Sequence, residues 1–408
     1  MYADFLKRHG MFADLYDYEL EKEKMLCDME SGLSGDRSSL MMLVTYISAK
    51  KAVPFNETIT VLDAGGTNLR RAAVTFRENG KTEIDGFKKV PLPGSIEAID
   101  ADGFFGAVAD FVLPIAKEND RLGFCFSYVT EPLPNRDGRL VAFCKEVNVK
   151  GAEKAEICSE LKKALKKRGY DRDIKCVLIN DSVATLLGGK ASGEDPDVGF
   201  ILGTGLNACY VEKTKNTKAA FEPGYTDDDV IINTELGTYR GFPRGDIDEE
   251  LDAASLMPGD HMAEKMMSGQ YIGELMIRLL KKAAEEGLMS APGFESVPPG
   301  DGETFISGKT GSVFDSLDDA DKSCAAALVT EVYRRAAKLQ AIVFGALRQH
   351  IAKDGEITVC ANGTTFERSY TMRRFLDEYI DKYDGGKVRF IAAENDTLMG
   401  TAVAGLTN

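Results

Sequence analysis

The sequence predicts an α/β fold built as two domains, on three observations. Apolar strand-like segments alternate with helix-like segments along most of the chain, the pattern of an α/β architecture. The 408 residues amount to two or three domains' worth of chain, and 44% of them are hydrophobic, enough to bury a large core. One strand-turn-strand pattern occurs twice, about 140 residues apart. Val61-Leu62-Asp63-Ala64-Gly65-Gly66-Thr67-Asn68 is echoed by Ile201-Leu202-Gly203-Thr204-Gly205-Leu206-Asn207. Each copy is an apolar strand, a Gly/Thr/Asn turn and a second strand, which implies a duplicated unit facing itself across a cleft.

The first fifty residues read as helix, with Leu15, Leu20, Met25 and Met29 on one stripe. A Gly/Ser turn and the apolar run Leu40 to Leu43 follow. Strands are expected at Thr58 to Leu62, Ala72 to Phe76 and Phe87 to Val90, then a helix from Gly103 to Lys117 and a buried strand from Leu122 to Phe126. Ala152 to Lys167 has helical spacing, with lysines forming a solvated face. The apolar strand Cys176 to Ile179 ends in Asn180-Asp181, and a helix opens at Ser182. Val198 to Leu202 and Ala208 to Val211 form the second hairpin. Two long helices are expected near 261–286 and 318–350, with a Gly/Pro-rich loop from Gly287 to Gly311 between them. The strand Ile357 to Cys360, a helix near Thr371 to Tyr383, the strand Val388 to Ile391 and a short helix from Thr397 complete the chain.

Fifty Lys and Arg stand against sixty-five Asp and Glu, a net charge of −15. That balance argues against nucleic acid as a partner, which needs a basic face to displace counterions. It argues equally against an anionic membrane surface. No apolar run is long enough to cross a bilayer, and the N-terminus lacks the basic-then-apolar pattern of a signal peptide. Eight cysteines without a CxxC pair, and three histidines, point to reduced thiols in a cytoplasmic protein without structural zinc.

Three glycine-rich segments have the composition of phosphate loops. Gly302 to Thr310 nearly fits a P-loop, but five residues separate its glycines where the motif has four, and no strand precedes it. It reads as a surface loop. Gly203-Thr204-Gly205-Leu206-Asn207-Ala208 fits G-x-G-x-x-A, yet strand rather than helix follows, so the dinucleotide reading fails and a hairpin turn touching phosphate remains. Asp63-Ala64-Gly65-Gly66-Thr67-Asn68 places a carboxylate at a strand end beside two glycines and a hydroxyl. It is either a tight hairpin or a holder of Mg²⁺, through water, and a nucleotide tail.

Taken in order, these segments resemble the eukaryotic-type hexokinase/glucokinase family of the actin-like ATPase superfamily. Leu62 to Arg70 resembles its first phosphate motif, Phe126-Ser127 and Lys145 its sugar loops, and Ile179 to Val183 its catalytic strand end. Leu202 to Tyr210 resembles the second phosphate motif and Ile232 to Gly237 a sugar-binding turn. Ser255 to Leu275 resembles a long signature, and Asn362-Gly363-Thr364 the adenosine segment. The resemblance spans roughly positions 15 to 405 and implies a two-domain, ribonuclease H-like fold with a cleft. Residues 58–183, completed by 396–408, would form the small domain, and 1–57 with 184–395 the large one.

The resemblance implies ATP-dependent phosphorylation of a hexose, glucose foremost, at the 6-hydroxyl. A primary alcohol is a weak nucleophile at neutral pH, so a carboxylate within hydrogen-bond reach should take its proton. Asp181, where an apolar strand meets a helix, is the expected base, with Ser182 available as helix cap. Lys145 would stabilise developing charge. Ser127, Asn180, Asn207, Glu235 and Glu264 are the expected sugar ligands. Asp63, Gly65, Gly66, Thr67, Asn68, Arg70, Gly203, Thr204, Gly363 and Thr364 are the expected nucleotide ligands, with Asp63 organising Mg²⁺ through water. A monomer or homodimer is expected, with sugar and ATP as its small-molecule partners. A non-catalytic sugar sensor is the alternative, and Asp181, Asp63 and both phosphate turns speak against it. An actin-like structural ATPase would explain the duplicated hairpins but not the sugar signature.

Four positions depart from the family pattern. Cys144 precedes Lys145 where the family carries Thr, Met257 stands for Asn, His261 for Gln, and Asn362 for Asp. These changes bear on sugar choice and nucleotide affinity.

Overall fold

The computed structural model describes residues 2–117, 119–143, 147–352 and 355–408. The chain opens with α1 (Tyr2–Arg8), α2 (Tyr18–Ser34) and β1 (Leu43–Val44). Strands β2 (Thr58–Gly65), β3 (Asn68–Phe76) and β4 (Thr82–Pro91) make an antiparallel meander. After β5 (Ile99–Asp100) come α3 (Ala101–Ala116), β6 (Arg121–Phe126), the hairpin β7 (Val129–Pro132) and β8 (Gly138–Ala142), and β9 (Val149–Lys150). Helix α4 (Ile157–Lys166), β10 (Lys175–Ile179) and α5 (Asp181–Ala191) close the first half.

The second half repeats the scheme. Strands β11 (Val198–Leu202), β12 (Leu206–Lys213) and β13 (Asp229–Asn233) form a second meander. Helices α6 (Asp246–Ala254), α7 (Met262–Met267), α8 (Gly269–Glu285), α9 (Asp301–Ile306) and α10 (Asp319–Ala352) follow. Then come β14 (Ile357–Asn362), α11 (Thr364–Arg368), α12 (Tyr370–Asp384), β15 (Val388–Ile391) and α13 (Asp396–Thr407).

The two large sheets share one topology. The first runs β10-β6-β2-β3-β4 and the second β15-β14-β11-β12-β13, extended by β1. In each, the meander's first strand continues into two parallel neighbours. The duplicated hairpin seen in the sequence is therefore the head of a duplicated sheet. Strand β2 is buried from Ile59 to Ala64 because α3 covers one face and α13 the other. Helix α13 also packs along α5, through glycines. A Cβ on Gly400 would stand 1.8 Å from the Ala184 carbonyl oxygen, and one on Gly188 2.4 Å from that of Asp396. Among the described residues, no helix is long and apolar enough to cross a membrane. Every described cysteine is free, and all but Cys27 are buried.

Several expectations change. Leu15 and Leu20 are 47% and 54% exposed. The inward face of α2 is instead Tyr18, Glu21, Lys22, Met25, Leu26 and Met29, with Lys24 pairing with Glu21 and Glu19 with Lys22. The helix expected at 152–167 starts only at Ile157. The single helix expected at 261–286 is broken at Ser268, which is extended. There the Gly269 N–H leaves the helical ladder and donates to the Gly203 carbonyl at 2.9 Å. The 287–311 loop contains α9, and Gly302, expected on a surface loop, is buried.

Candidate active site

The parallel strands β10, β6 and β2 end side by side, Ile179 level with Cys125 and Cys125 level with Asp63. Their carboxyl ends present Asp181, Ser127, and Asp63 with Gly65, in the position where open α/β sheets bind ligands. A Cβ on Gly65 would lie 3.4 Å from Ser127 Oγ and 3.5 Å from Asp63 Oδ1, so the turn, the hydroxyl and the carboxylate converge.

Asn180, not Ser182, caps α5. Its Oδ1 accepts from the Ser182 N–H at 2.9 Å and from Ser182 Oγ at 2.8 Å. Ser182 is itself fully buried and serves as the donor, which corrects the expectation. Asp181 becomes the first helical residue, and its Oδ1 also accepts from the Ser182 N–H at 2.9 Å. Burial pushes the Asp181 carboxyl above the usual range. The Ser182 N–H and Ser127 hydroxyl oppose the shift, and the Asp63 charge adds to it.

A chain of side-chain amides crosses from α5 to the second sheet. Asn207 Nδ2 donates to Asn180 Oδ1 at 3.3 Å and to Asn233 Oδ1 at 3.0 Å, and Asn233 Nδ2 donates to Glu235 Oε1 at 2.8 Å. Glu235 sits at φ 51°, a left-handed conformation that non-glycine residues rarely adopt. Glu264, on α7, accepts from the Leu206 N–H at 3.0 Å. Gly205 makes room for it, since a Cβ there would lie 2.9 Å from Glu264 Oε2. Burial raises the pKa of both Glu235 and Glu264. Asn233 and the Leu206 N–H respectively oppose it, and His261 acts on both carboxylates. Helix α7 is held from behind by the buried Lys265, which donates to Asp252 at 2.5 Å and to the Met257 carbonyl at 2.7 Å. Met257 itself is half exposed.

The two glycine turns differ in how they are fixed. In the first, Arg70 Nη1 pairs with Asp63 Oδ2, and Tyr128 donates its hydroxyl to the Gly66 carbonyl at 2.5 Å. Burial raises the Asp63 carboxyl despite Arg70, with Asp396 contributing in the same direction. Gly66, at φ 58°, and Thr67 are exposed, and Asn68 opens β3. In the second turn, the Gly203 carbonyl accepts from Gly269 N at 2.9 Å and from Thr365 Oγ1 at 2.8 Å, and the Thr204 carbonyl from Gln270 N at 3.3 Å. Gly363 and Thr364 lie against that turn. A Cβ on Gly203 would be 3.7 Å from Gly363 Cα and 4.0 Å from the Thr364 nitrogen. Beyond them a cavity of about 240 Å³ opens between α8, the Val297–Gly300 segment and α11.

The structure thus gathers Asp63, Gly65, Ser127 and Asp181 at one set of strand ends. Asn180, Asn207, Glu235 and Glu264 form a polar wall, and of the segments at Gly203-Thr204 and Gly363-Thr364, which lie against each other, Thr364 lines the cavity. Lys145 and Cys144 lie outside the described residues. Asn233 and the Val297–Gly300 segment were not singled out from the sequence. The sequence marks Asn233 only as part of the Ile232 to Gly237 turn and not as a site residue, and it carries no signal for the cavity wall.

Comparison with known proteins identifies the family and the fold. Two family models, each described as Hexokinase, match residues 16–191 and 197–407. Hexokinase-1 of Nicotiana tabacum is 32% identical over 294 residues, covering 68% of this chain and 58% of that protein. Hexokinase-2 of Oryza sativa subsp. japonica is 30% identical over 293 residues with the same coverage. The chain therefore spans 58% of the length of these curated relatives. The solved hexokinase of Schistosoma mansoni in complex with glucose superposes with a TM-score of 0.80 at 22% identity, over 100% of this chain and 99% of that one. A second solved hexokinase gives a TM-score of 0.76 over 97% of this chain. The fold is the two-domain, actin-like ATPase fold of hexokinase type, and with both family models together matching nearly the whole sequence, the chain belongs to the hexokinase family.

Proposed function

We propose that the protein transfers the γ-phosphoryl group of ATP to the 6-hydroxyl of a hexose, giving hexose 6-phosphate and ADP. The observation that carries this is the half-buried carboxylate of Asp181 at a strand end, with the polar wall and a glycine turn on either side of it. Asp181 accepts the proton of the attacking hydroxyl. Asn180, Asn207, Glu235, Glu264 and Ser127 hold the remaining hydroxyls, pairing planar acceptors and donors with a neutral ligand. Glucose is the first choice because the Schistosoma relative was solved with it. In this reading residues 58–183 with 396–408 move as one domain and the rest as the other.

The nucleotide fits the second turn. Backbone N–H groups at Gly65 to Asn68 and at Gly203 to Gly205 meet its phosphates, and the cavity beside Thr364 takes the nucleoside. The donor set beside the first turn also fits magnesium, which prefers carboxylate oxygens and retained waters. Asp63 would hold Mg²⁺ through water, and the ion would neutralise phosphate charge. Arg70, which pairs with Asp63, would contact phosphate, and Lys145 would complete the set of charge-stabilising groups. Because positioning dominates phosphoryl transfer, the arrangement of these groups matters more than the strength of any one.

A coupled assay of ATP consumption over a panel of hexoses tests the reading. Sugar-dependent ADP release, greatest with glucose, is expected, and no turnover with any hexose would overturn it. Since sugar ligands come from both sheets, sugar should also draw the domains together and expel water. A smaller solution-scattering radius at saturating sugar is expected, and equal radii with and without sugar would count against closure.

A further inference from the structure

The strand end that borders the nucleotide turn carries an amide, Asn362, where the family resemblance implies a carboxylate. The structure shows where a carboxylate stands instead. Asn362 Nδ2 lies 2.6 Å from both Oδ1 and Oδ2 of Asp396, the first residue of α13. Asp396 is only 5% exposed, and its other contacts are also donors. Thr185 Oγ1 on α5 donates to Oδ2 at 3.0 Å, and the Thr397 N–H donates to Oδ1 at 2.7 Å. The residue before it, Asn395, takes a left-handed φ of 52°, a conformation with a cost that surrounding contacts must offset.

This junction ties three elements together. Asn362 ends β14, Thr185 lies in α5, and Asp396 heads α13, whose body runs beneath β2 and β6. The packing there is backbone against backbone. A Cβ on Gly123 of β6 would stand 2.3 Å from the Thr401 carbonyl oxygen, and one on Gly188 2.4 Å from that of Asp396. Helix α13 therefore links the strand end beside Gly363-Thr364 to the strands that carry Asp63 and Ser127, with little room to slide.

We infer that Asp396 is a positioning residue for the nucleotide side of the site. By gripping the Asn362 amide it sets the Asn362-Gly363-Thr364 turn against the Gly203 turn and in register with Asp63. The amide and the carboxylate face each other across strand end and helix, so each position depends on what occupies the other. The inference rests on reading the Gly203 and Gly363 turns as the nucleotide side.

Reversing the pair tests it. Asn362→Asp alone sets two carboxylates face to face, and Asp396→Asn alone sets two amides. The double variant Asn362→Asp/Asp396→Asn restores one amide and one carboxylate, with the Thr185 hydroxyl free to turn from donor to acceptor. Residues in contact couple, so each single variant should weaken Mg-ADP binding by about tenfold, and the double should return to within about threefold of the wild type. Titration with Mg-ADP without sugar reads this even if the acceptor is not a hexose, so failure of the proposed function is told apart by the wild-type sugar assay. In turnover, the nucleotide KM should move while the hexose KM stays within about twofold, a split that general loosening of the fold would not give. Should Asn362→Asp fail to fold, the comparison of Asp396→Asn with the double variant decides. A double variant no better than the worse single, or hexose and nucleotide KM rising together, would overturn the inference.

Discussion

Replacing Asp181 by Ala is expected to lower the kcat of sugar-dependent turnover by about 10²–10⁴-fold, the usual share of a general base. Hexose affinity should change little, because the polar wall proposed to hold the sugar, Asn180, Asn207, Glu235 and Glu264, is formed without it. Calorimetric titration of the variant with glucose, beside the coupled assay, separates the two. Near-normal turnover would show that another group takes the proton.

The environment of Asp181 adds a pH signature. The proposed base would work only when ionised, and burial together with the Asp63 charge raises its pKa above the ordinary aspartate range. Wild-type kcat/KM should therefore fall on the acid side, with its inflection above the ordinary value of about 3.9. Removing the Asp63 charge with Asp63→Asn should move that inflection down, since a neighbouring negative charge is what it removes. The same shift bears on stability. A carboxyl that holds its proton more tightly folded than unfolded contributes stability at low pH and loses it as pH rises through the folded pKa. At pH 7 the ionised, buried Asp181 is a cost. Asp181→Asn should then melt above the wild type at pH 7, and that advantage should shrink as pH falls through the raised folded pKa and be gone by the ordinary aspartate value.

The strand ends were legible in the sequence because each is an apolar run that leads into a carboxylate, Leu62-Asp63 and Ile179-Asn180-Asp181. The duplicated sheet was legible for the same reason, since both hairpins carry their turn chemistry locally. Features set by partners distant in sequence were not. The α2 stripe misled because Glu21 and Lys22 are buried with ion-pair partners one turn away while Leu15 and Leu20 face outward. The break at Ser268 depends on a carbonyl at Gly203, 65 residues earlier, that captures the Gly269 N–H. The cavity wall at Val297 to Gly300 read as loop because nothing local marks a segment that packs on α8 and faces α11. The cap at Asn180 lay within reach of the sequence, but Asn, Asp and Ser stand in succession there and all three favour the position. Only the backbone geometry decides among them.

The glycine turns make the second strong prediction, because equal residues in the two nucleotide segments are not equal in space. Gly363 has φ 118°, and a Cβ there would lie 2.3 Å from the Leu202 carbonyl oxygen, 2.4 Å from its carbon and 2.7 Å from the Gly203 nitrogen. All three are backbone atoms, so no side chain can swing aside to relieve the contact. The methyl group of Gly363→Ala must push the strand end at Leu202 away from β14. That movement disturbs the Gly203 carbonyl, which holds both Gly269 and Thr365. Backbone strain of this kind costs about 1–3 kcal/mol, and the loss should fall on the nucleotide side, raising the nucleotide KM by about 5- to 150-fold on the same scale. Hexose binding without nucleotide should stay near the wild-type value, because Asn207 and Glu235 are held by Asn180 and Asn233 and Glu264 by the Leu206 N–H, none of which an added Cβ on Gly363 would meet. At Gly203 itself the nearest atom to an added Cβ is 3.7 Å away, an ordinary contact, so Gly203→Ala should be the milder of the two variants. The motif alone would rank them the other way, since Gly203 opens the phosphate turn and Gly363 only flanks it. Nucleotide titration of both variants, with unfolding curves in urea alongside, decides between the two rankings. Unimpaired nucleotide binding by Gly363→Ala would mean that the β11 and β14 strand ends can separate at little cost, and that the close approach of Gly363 to Leu202 is not what shapes the turn.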